Sequence, residues 1–351
     1  MEKTIETYQY DQEKNAIRGC LLGGAIGDAL GSPVEFLSLN SIAQVYGDAI
    51  NDYVEFSDGT GAITDDTQMA LFTAEGILRA NVRGREKGIC DVTSVVKYAY
   101  LRWLFTQGIK PNISEENLNS GWLINEKQLF SSRAPGMTCL HSLEYGNSNK
   151  AKNDSKGCGT VMRMAPIGLF FEPQSAYEYG CDCSAITHGH PTGITAGGAF
   201  AMLISYLRSG KSFEDSLDLV ESHLETIPEA KETLAAIRLA RTTDNIVKLG
   251  EGWVAEEALA IGIYCALHHQ LDFKAGVLEA INITGDSDST GTIAGHILGI
   301  INGENGIPEK WRKNLREYAI VSQVADDLCT KFEENSAGHV TKNWWNKYPG
   351  Y

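Results

Sequence analysis

Apolar side chains recur with a helical period along most of the chain, whereas the two-residue alternation of a half-buried strand is scarce. Segment 64–82 begins with Thr64, a good helix cap, and continues with Asp65 and Asp66 in the first turn before an apolar face. The same period occupies further segments: 91–107, 193–208, 214–225, 228–241, 253–270 and 272–282. The pattern therefore predicts an all-α fold.

The segments between these helices are long and polar, and they are predicted to be loops. They cover residues 32–63, 108–121, 130–160 and 180–192, and a tail follows residue 336. No Pro- or Ser-rich linker divides the chain, and no fixed repeat is present. We therefore expect a single domain over residues 1–351, with a polar N-terminal arm at 1–15 and a tail at 337–351.

Glycines recur every fourth residue in two apolar segments. The first series comprises Gly19, Gly23, Gly27 and Gly31, and the second comprises Gly291, Gly295 and Gly299. Glycine inside a helix costs about 0.5–1 kcal/mol relative to alanine, and close approach of two backbones can offset that cost. The spacing predicts tightly packed helices whose starts, near residues 19, 65 and 287, meet at one centre.

Composition excludes several kinds of partner. The chain carries 30 Lys and Arg against 45 Asp and Glu, a net charge of −15, which argues against a nucleic-acid partner. Its eight cysteines are scattered and form no CxxC pair, so we expect reduced thiols. Residues 1–15 are too polar for a signal peptide, and the apolar runs are too short for a membrane helix. We expect a cytoplasmic protein without a membrane partner.

The stretch "GDSDSTG", residues 285–291, places Asp286 and Asp288 among hydroxyl side chains. An EF-hand loop would need a bidentate glutamate where Ile297 stands. The run also matches the D-x-D-x-T loop of aspartate-nucleophile phosphatases, although that motif comes early in those enzymes and late here. Simple capping of a helix needs only one such residue.

A further interpretation joins this run to Asp65 and Asp66, which also begin a helix. Four carboxylates packed together repel one another unless cations neutralise them. Oxygen ligands without His or Cys suit Mg²⁺, Mn²⁺ or Ca²⁺, and four acids can hold two ions about 3.5–4 Å apart.

Five segments resemble the ADP-ribosylglycohydrolases, a family that includes the dinitrogenase reductase-activating glycohydrolases. They are "GCLLGGAIGDALGSPVEF" (19–36), "ITDDTQMAL" (63–71), "KGCGTVMRMAPIGL" (156–169), "ITHGHPTGITAGGAF" (186–200) and "GDSDSTGTIAGHILG" (285–299). The resemblance runs from about residue 15 to about residue 325, in the order of the family. It implies a compact orthogonal multi-helix bundle with a dinuclear metal site at converging helix N-termini.

The resemblance also implies roles for individual residues. Two Mg²⁺ or Mn²⁺ ions would be held by Thr64, Asp65, Asp66, Asp286, Asp288 and Ser289, the last standing where the family more often has threonine. Glu35 would be the catalytic loop carboxylate, acting as an acid–base group or as a gate. The substrate-binding residues would be Gly136, Gly157, Cys158, Gly159, Thr160 and His188, the last paired with Thr187. Residues 157–160, here called the glycine loop, would face the pyrophosphate of the substrate, and Arg163 is expected to brace this loop. Asp28 and His190 are expected to be structural, and His268 and His269 to lie on the surface.

The implied activity is hydrolysis of the bond between ADP-ribose and a modified protein, with the arginine-directed branch favoured. O-linked substrates, either ADP-ribosylserine or O-acetyl-ADP-ribose, are an alternative. A second alternative is an immunity protein that binds and counteracts a cognate ADP-ribosylating toxin.

Overall fold

The computed structural model describes residues 2–350, with side chains from Gln9 onward, so Met1 of the predicted arm and Tyr351 of the predicted tail lie outside it. The described helices are α1 (Glu2–Gly31), α2 (Leu39–Tyr46), α3 (Asp65–Lys87), α4 (Val92–Thr106), α5 (Glu115–Leu118), α6 (Met137–Tyr145), α7 (Ala165–Phe170), α8 (Pro173–Ala185), α9 (Pro191–Arg208), α10 (Phe213–Leu224), α11 (Lys231–Thr242), α12 (Ala255–His268), α13 (Phe273–Ile281), α14 (Ser287–Gly306), α15 (Glu309–Asn314), α16 (Tyr318–Thr330) and α17 (Lys342–Lys347). Short 3₁₀ helices occupy Ser32–Val34, Leu123–Asn125, Lys127–Leu129, Cys158–Thr160, Pro228–Ala230 and Ile246–Leu249. Between residues 2 and 350, β pairing is limited to isolated bridges, so the predicted all-α class is confirmed.

The helices predicted from periodicity are all present, but two predicted boundaries are wrong. The first helix begins at Glu2 rather than near residue 19, so the polar arm forms its first turns. The predicted loop 180–192 is largely helical, because α8 continues to Ala185 and α9 begins at Pro191. The predicted loops 32–63, 108–121 and 130–160 also contain α2, α5 and α6, respectively, and the predicted tail contains α17.

Helix α1 packs antiparallel along α14 through the two glycine series. A Cβ added at Gly23 would lie 2.2 Å from the carbonyl oxygen of Gly295, and one at Gly27 would lie 2.0 Å from that of Gly291. At the far end, a Cβ on Gly31 would lie 2.3 Å from the carbonyl oxygen of Ser287. The close packing that the spacing predicted is therefore present. The contact, however, holds the end of α1, and not a helix start near residue 19, against the beginning of α14.

Substituting Gly295 by alanine is expected to destabilise the protein by about 1–3 kcal/mol or more, because its Cβ would lie 2.1 Å from the carbonyl oxygen of Gly23. Gly84 of α3 is the matched control, since the nearest atom to its added Cβ is 3.8 Å away. Gly84→Ala should be neutral or stabilising by about 0.4–1 kcal/mol. Urea unfolding of both variants checks the prediction, and equal stabilities would contradict it.

The remaining helices pack around this pair. Helices α12 and α13 lie against α14, α16 lies against α1, and α3 packs on α4. Among the described residues, no single helix is both long and apolar enough to cross a membrane. The segments 9–34 and 39–46 reach that length and composition only as a pair bent by 86°.

Candidate active site

Asp28 of α1 fixes the first turn of α3. Its carboxylate accepts hydrogen bonds from the backbone N–H of Thr64 at 2.9 Å and from the hydroxyl of Thr67 at 2.6 Å. The Thr64 hydroxyl in turn accepts from the N–H of Asp66 at 3.3 Å. These bonds set the positions of Asp65 and Asp66, and they give Asp28 the structural role predicted for it.

The start of α14 brings the second acidic run to the same place. Asp286 is the N-cap residue of α14, and its N–H donates to the carbonyl of Glu251 at 2.8 Å. Because Gly31 lies against Ser287, the chain leaving α1 carries Glu35 to this helix start. One carboxylate oxygen from each of Glu35, Asp286 and Asp288 lies within 4.8 Å of the others.

A cavity of about 330 Å³ lies where these elements meet. The predicted site residues that line it are Glu35, Asp65, Asp66, Gly136, Gly157, Cys158, Gly159, His188, Asp286, Asp288 and Ser289. Thr64 and Thr160 are not among its lining residues: both are buried, and the Thr160 hydroxyl donates to the carbonyl of Gly157 at 3.4 Å. The structure therefore brings the two acidic runs, Glu35 and the glycine loop to one cavity.

The segment 132–139, which contains the predicted substrate-binding residue Gly136, forms another wall of the cavity. Residues 134–139 all line it. The N–H of Gly136 donates to Asp65 Oδ2 at 3.0 Å, and the N–H of Asp65 donates to the carbonyl of Arg133 at 3.3 Å. Arg133 itself pairs with Glu55 at 2.6 Å. This wall is thus tied directly to the first turn of α3.

Sequence reasoning missed an aromatic pair at the mouth of the cavity. Phe36 and Trp253 both line it, and their rings stack with centroids 5.1 Å apart and planes inclined by 22°. Phe36 has a φ of 68°, which is rare for a residue with a bulky side chain, and it is 71% exposed. Nothing local in the sequence signals the pair, because the two residues come from distant loops.

The glycine loop is fixed to the beginning of α12. The Cys158 N–H donates to the carbonyl of Trp253 at 3.2 Å, and the carbonyl of Lys156 accepts from the N–H of Ala255 at 2.8 Å. The Lys156 ammonium pairs with Glu232 at 3.0 Å and also with Glu256. The Cys158 N–H is therefore already engaged, so fewer loop amides are free for a phosphate than the glycine content suggested.

The carboxylates of the cavity are under strong mutual repulsion. Burial, and then the charges of Asp288, Asp286 and Asp65, raise the pKa of Glu35 to about 10. Burial is also the main cause that raises the pKa values of Asp65, Asp66 and Asp286 well above the usual range.

The donor set fits divalent cations. No Lys or Arg is among the described residues that line the cavity, and Asp66 Oδ2 is buried without a hydrogen-bond partner. A cluster of carboxylate oxygens without a cationic side chain is the kind of site that hard divalent ions occupy.

The stability of the metal-free protein is expected to fall as pH rises from about 5 to 8. The folded protein holds protons that the unfolded chain has released, because the pKa of Glu35 is raised to about 10 and that of Asp28 to about 7. A state that binds more protons loses stability as pH rises. Added Mg²⁺ or Mn²⁺ should therefore raise Tm more at pH 8 than at pH 5. Thermal scans with and without chelator measure this, and a metal-induced shift independent of pH would contradict it.

The other histidines singled out in the sequence lie outside the cavity lining. His190 caps α9, its Nδ1 accepting from the N–H of Thr192 at 3.1 Å, in agreement with a structural role. His268 is exposed, as predicted. His269 is partly buried and lies 3.1 Å from Glu279.

Known proteins are similar to this chain in sequence and in fold. The family model for ADP-ribosylglycohydrolases matches residues 9–338. The ADP-ribosylarginine hydrolase Tri1 of Serratia proteamaculans is 25% identical over 89% of this chain and 78% of its own length. The ADP-ribosyl-[dinitrogen reductase] glycohydrolase of Rhodospirillum rubrum is 24% identical over 85% of this chain and 89% of its own length. The ADP-ribosylhydrolase ARH3 of Mus musculus is 23% identical over 91% of this chain and 92% of its own length.

A solved structure, described as an ADP-ribosylglycohydrolase-related protein complex, superimposes with a TM-score of 0.66 at 22% identity. The superposition covers 92% of this chain and 99% of the solved one. This similarity concerns the fold.

Proposed function

The chain belongs to the ADP-ribosylglycohydrolase family, and on that premise we propose that it is a metal-dependent hydrolase that releases ADP-ribose from modified arginine side chains of proteins. Members of this family are hydrolases that act on ADP-ribosylated substrates. The observation that carries the proposal is the cavity in which five carboxylates face one another beside a glycine loop. The acidic cluster suits cations and a ribose, and the loop suits a pyrophosphate.

Two divalent ions, Mg²⁺ or Mn²⁺, are proposed to bind between the two helix starts. The cavity is lined by five of the proposed ligands: Asp65, Asp66, Asp286, Asp288 and Ser289. The sixth, Thr64, directly precedes Asp65 as the cap of α3. Such ions supply Lewis-acid polarisation and lower the pKa of water.

The carboxylates act on the charge that develops as the glycosidic bond breaks. Cleavage of a glycoside passes through a state with positive charge on the ribose, which nearby carboxylates stabilise. Glu35 lies beside Asp288 at the edge of this cluster and is proposed to carry the proton between water and the leaving group.

Arginine is the proposed acceptor. Its guanidinium departs easily only in its protonated form, and an acidic site stabilises that charge. A serine oxygen must also be protonated as it leaves, so the choice of arginine rests on sequence similarity rather than on this chemistry. One relative supports the assignment, since it is named an ADP-ribosylarginine hydrolase. The segments "THGHPTG" (187–193) and "RAPG" (133–136) support it as well, because they resemble those of the bacterial arginine-directed branch more than those of the serine-directed one.

The test uses two matched peptides, one ADP-ribosylated on Arg and one on Ser, at equal concentration with Mg²⁺. We expect faster release of free ADP-ribose from the arginine peptide and loss of release in excess chelator. Faster release from the serine peptide would overturn the arginine assignment and leave the hydrolase assignment standing. Tight binding of a modified protein or a toxin without any release would indicate a binding protein instead.

A further inference from the structure

Arg163 lies beneath the glycine loop and is fully buried. Its Nη2 donates to the hydroxyl oxygen of Thr187 at 2.6 Å, and its Nη1 lies 3.2 Å from the Sγ of Cys139. Its guanidinium carbon stands 4.7 Å from the ring centroid of Tyr100. Among the residues whose side chains the structure describes, no Asp or Glu pairs with it, so this buried cation is held by neutral groups. A buried cation without a counter-ion is costly, which suggests a role beyond packing.

Thr187 connects this cation to a histidine of the cavity. Its hydroxyl oxygen lies 2.8 Å from His188 Nδ1. A guanidinium can only donate hydrogen bonds, so the bond from Arg163 occupies a lone pair of the Thr187 oxygen. The single hydroxyl proton of Thr187 remains available for an acceptor.

Two acceptors are within reach of that proton, namely His188 Nδ1 and the Sγ of Cys139. A thiol sulfur is a weak acceptor, and this one already receives an N–H of Arg163. The unprotonated imidazole nitrogen is the better acceptor. The Thr187 hydroxyl therefore donates to Nδ1, and the ring proton of His188 resides on Nε2.

The protonated nitrogen faces the glycine loop. A Cβ added at Gly157 or at Gly159 would lie 3.4 Å from His188 Nε2, and His188 lines the cavity with both glycines. Burial first, and the Arg163 charge second, lower the pKa of His188 to about 3, so the ring is neutral near pH 7. The neutral Nε2–H of His188 is thus a hydrogen-bond donor in the cavity, beside the backbone of the glycine loop.

We propose that Arg163 and Thr187 are positioning residues that hold His188, already expected to bind substrate, as the Nε2–H tautomer. A phosphate oxygen suits this donor, because it accepts the hydrogen bond and is attracted by the buried guanidinium behind the ring. Only the identity of this acceptor depends on the proposed function; the tautomer is a property of the free protein.

The tautomer is read from ¹⁵N resonances of histidine-labelled protein, in which protonated and unprotonated ring nitrogens are well separated. His188→Gln assigns the signal. In the free wild-type protein we expect the proton on Nε2 and no change of that state from pH 5 to 8. An Nδ1–H signal or a charged ring in this range would overturn the inference, whether or not the protein hydrolyses any peptide.

Thr187→Val tests the connection, and Thr187→Ser is the conservative variant that restores the hydroxyl. We expect Thr187→Val to give mixed tautomers and to raise KM for the ADP-ribosylated arginine peptide about fivefold, the worth of one net hydrogen bond, with kcat within about twofold. Thr187→Ser should retain both wild-type properties. If no peptide is hydrolysed, the dissociation constant of free ADP-ribose replaces KM, so failure of the proposed function stays distinguishable.

Thr292→Val is the matched control, because Thr292 is equally buried and its hydroxyl has no hydrogen-bond partner. It should leave the His188 spectrum and KM unchanged. A wild-type tautomer and KM in Thr187→Val would overturn the inference, and so would the same shift in Thr292→Val.

Discussion

Replacing Asp288 by asparagine is expected to lower turnover by about a thousandfold or more, while metal-free Tm at pH 8 rises. Polarisation of bound oxygens and activation of water by divalent ions are worth several kcal/mol, and each 1.36 kcal/mol corresponds to a factor of ten. Asp288 is a like-charge neighbour that raises the pKa values of Glu35, Asp28, Asp66 and Asp286, so its removal relieves repulsion in the empty cluster. An asparagine Oδ1 can still accept from the N–H of Ser289, as Asp288 Oδ1 does at 2.9 Å.

The measurements are release of ADP-ribose with Mg²⁺ and the Tm with and without the metal. Asp182→Asn is the control, since Asp182 is exposed on α8 and the substitution removes the same charge outside the cavity. It should leave turnover and the metal-induced Tm shift unchanged. Wild-type turnover in Asp288→Asn, or full activity of the wild type in excess chelator, would remove the metal centre from the proposed function.

The parts of the fold that the sequence predicted are those set by local rules. Helix α3 begins at Asp65 with Thr64 as its cap, and the glycine series predicted close packing because backbone contact demands a glycine at each repeat. The polar composition of residues 1–15 predicts an arm outside the first helix, yet these residues belong to α1, where Lys14 pairs with Asp326 of α16 at 3.2 Å. Ion pairs with a distant helix do not show in local periodicity.

The error at residues 180–192 has a similar origin. The sequence predicts that a loop begins at Gly180, whereas Gly180 lies inside α8. A Cβ added there would stand 2.9 Å from the Cα of Gly198 in α9. Here glycine permits the contact between α8 and α9. A glycine that permits close packing and one that ends a helix look alike in a single sequence.

The candidate site was predictable as far as its residues occur in recognisable runs. Each acidic run was identified within its own segment, and the structure places both in one cavity. The stacking of Phe36 on Trp253 and the contacts of Arg163 join residues far apart in the chain, so only the fold reveals them. The sequence does not choose between an acid–base role and a gating role for Glu35. The structure adds a third role, that of a metal ligand, because Glu35 stands beside Asp286 and Asp288.

Glu35→Gln is expected to lower kcat by more than tenfold, and by up to about 10⁴-fold, with metal binding preserved. General acid–base groups contribute about 10²–10⁴-fold, and an amide of nearly the same shape cannot carry the proton. The pKa of Glu35 is raised by burial and by its acidic neighbours, so the substitution should also stabilise the metal-free protein at pH 8.

Three outcomes of this substitution separate the roles of Glu35. An acid–base group gives a reduced kcat with the wild-type metal-induced Tm shift. A metal ligand gives a reduced kcat together with a smaller Tm shift, which would contradict the acid–base assignment. An unchanged kcat would leave Glu35 with no more than a gating or spectator part.

Glu116→Gln is the control. Glu116 is exposed on α5, so the substitution removes a carboxylate without touching the cavity. Because Glu35 directly precedes Phe36, the part of the tryptophan fluorescence that Trp253→Phe removes reports whether the variant loop still reaches the stacked position. A fall in kcat is then assigned to the missing carboxylate rather than to a displaced loop.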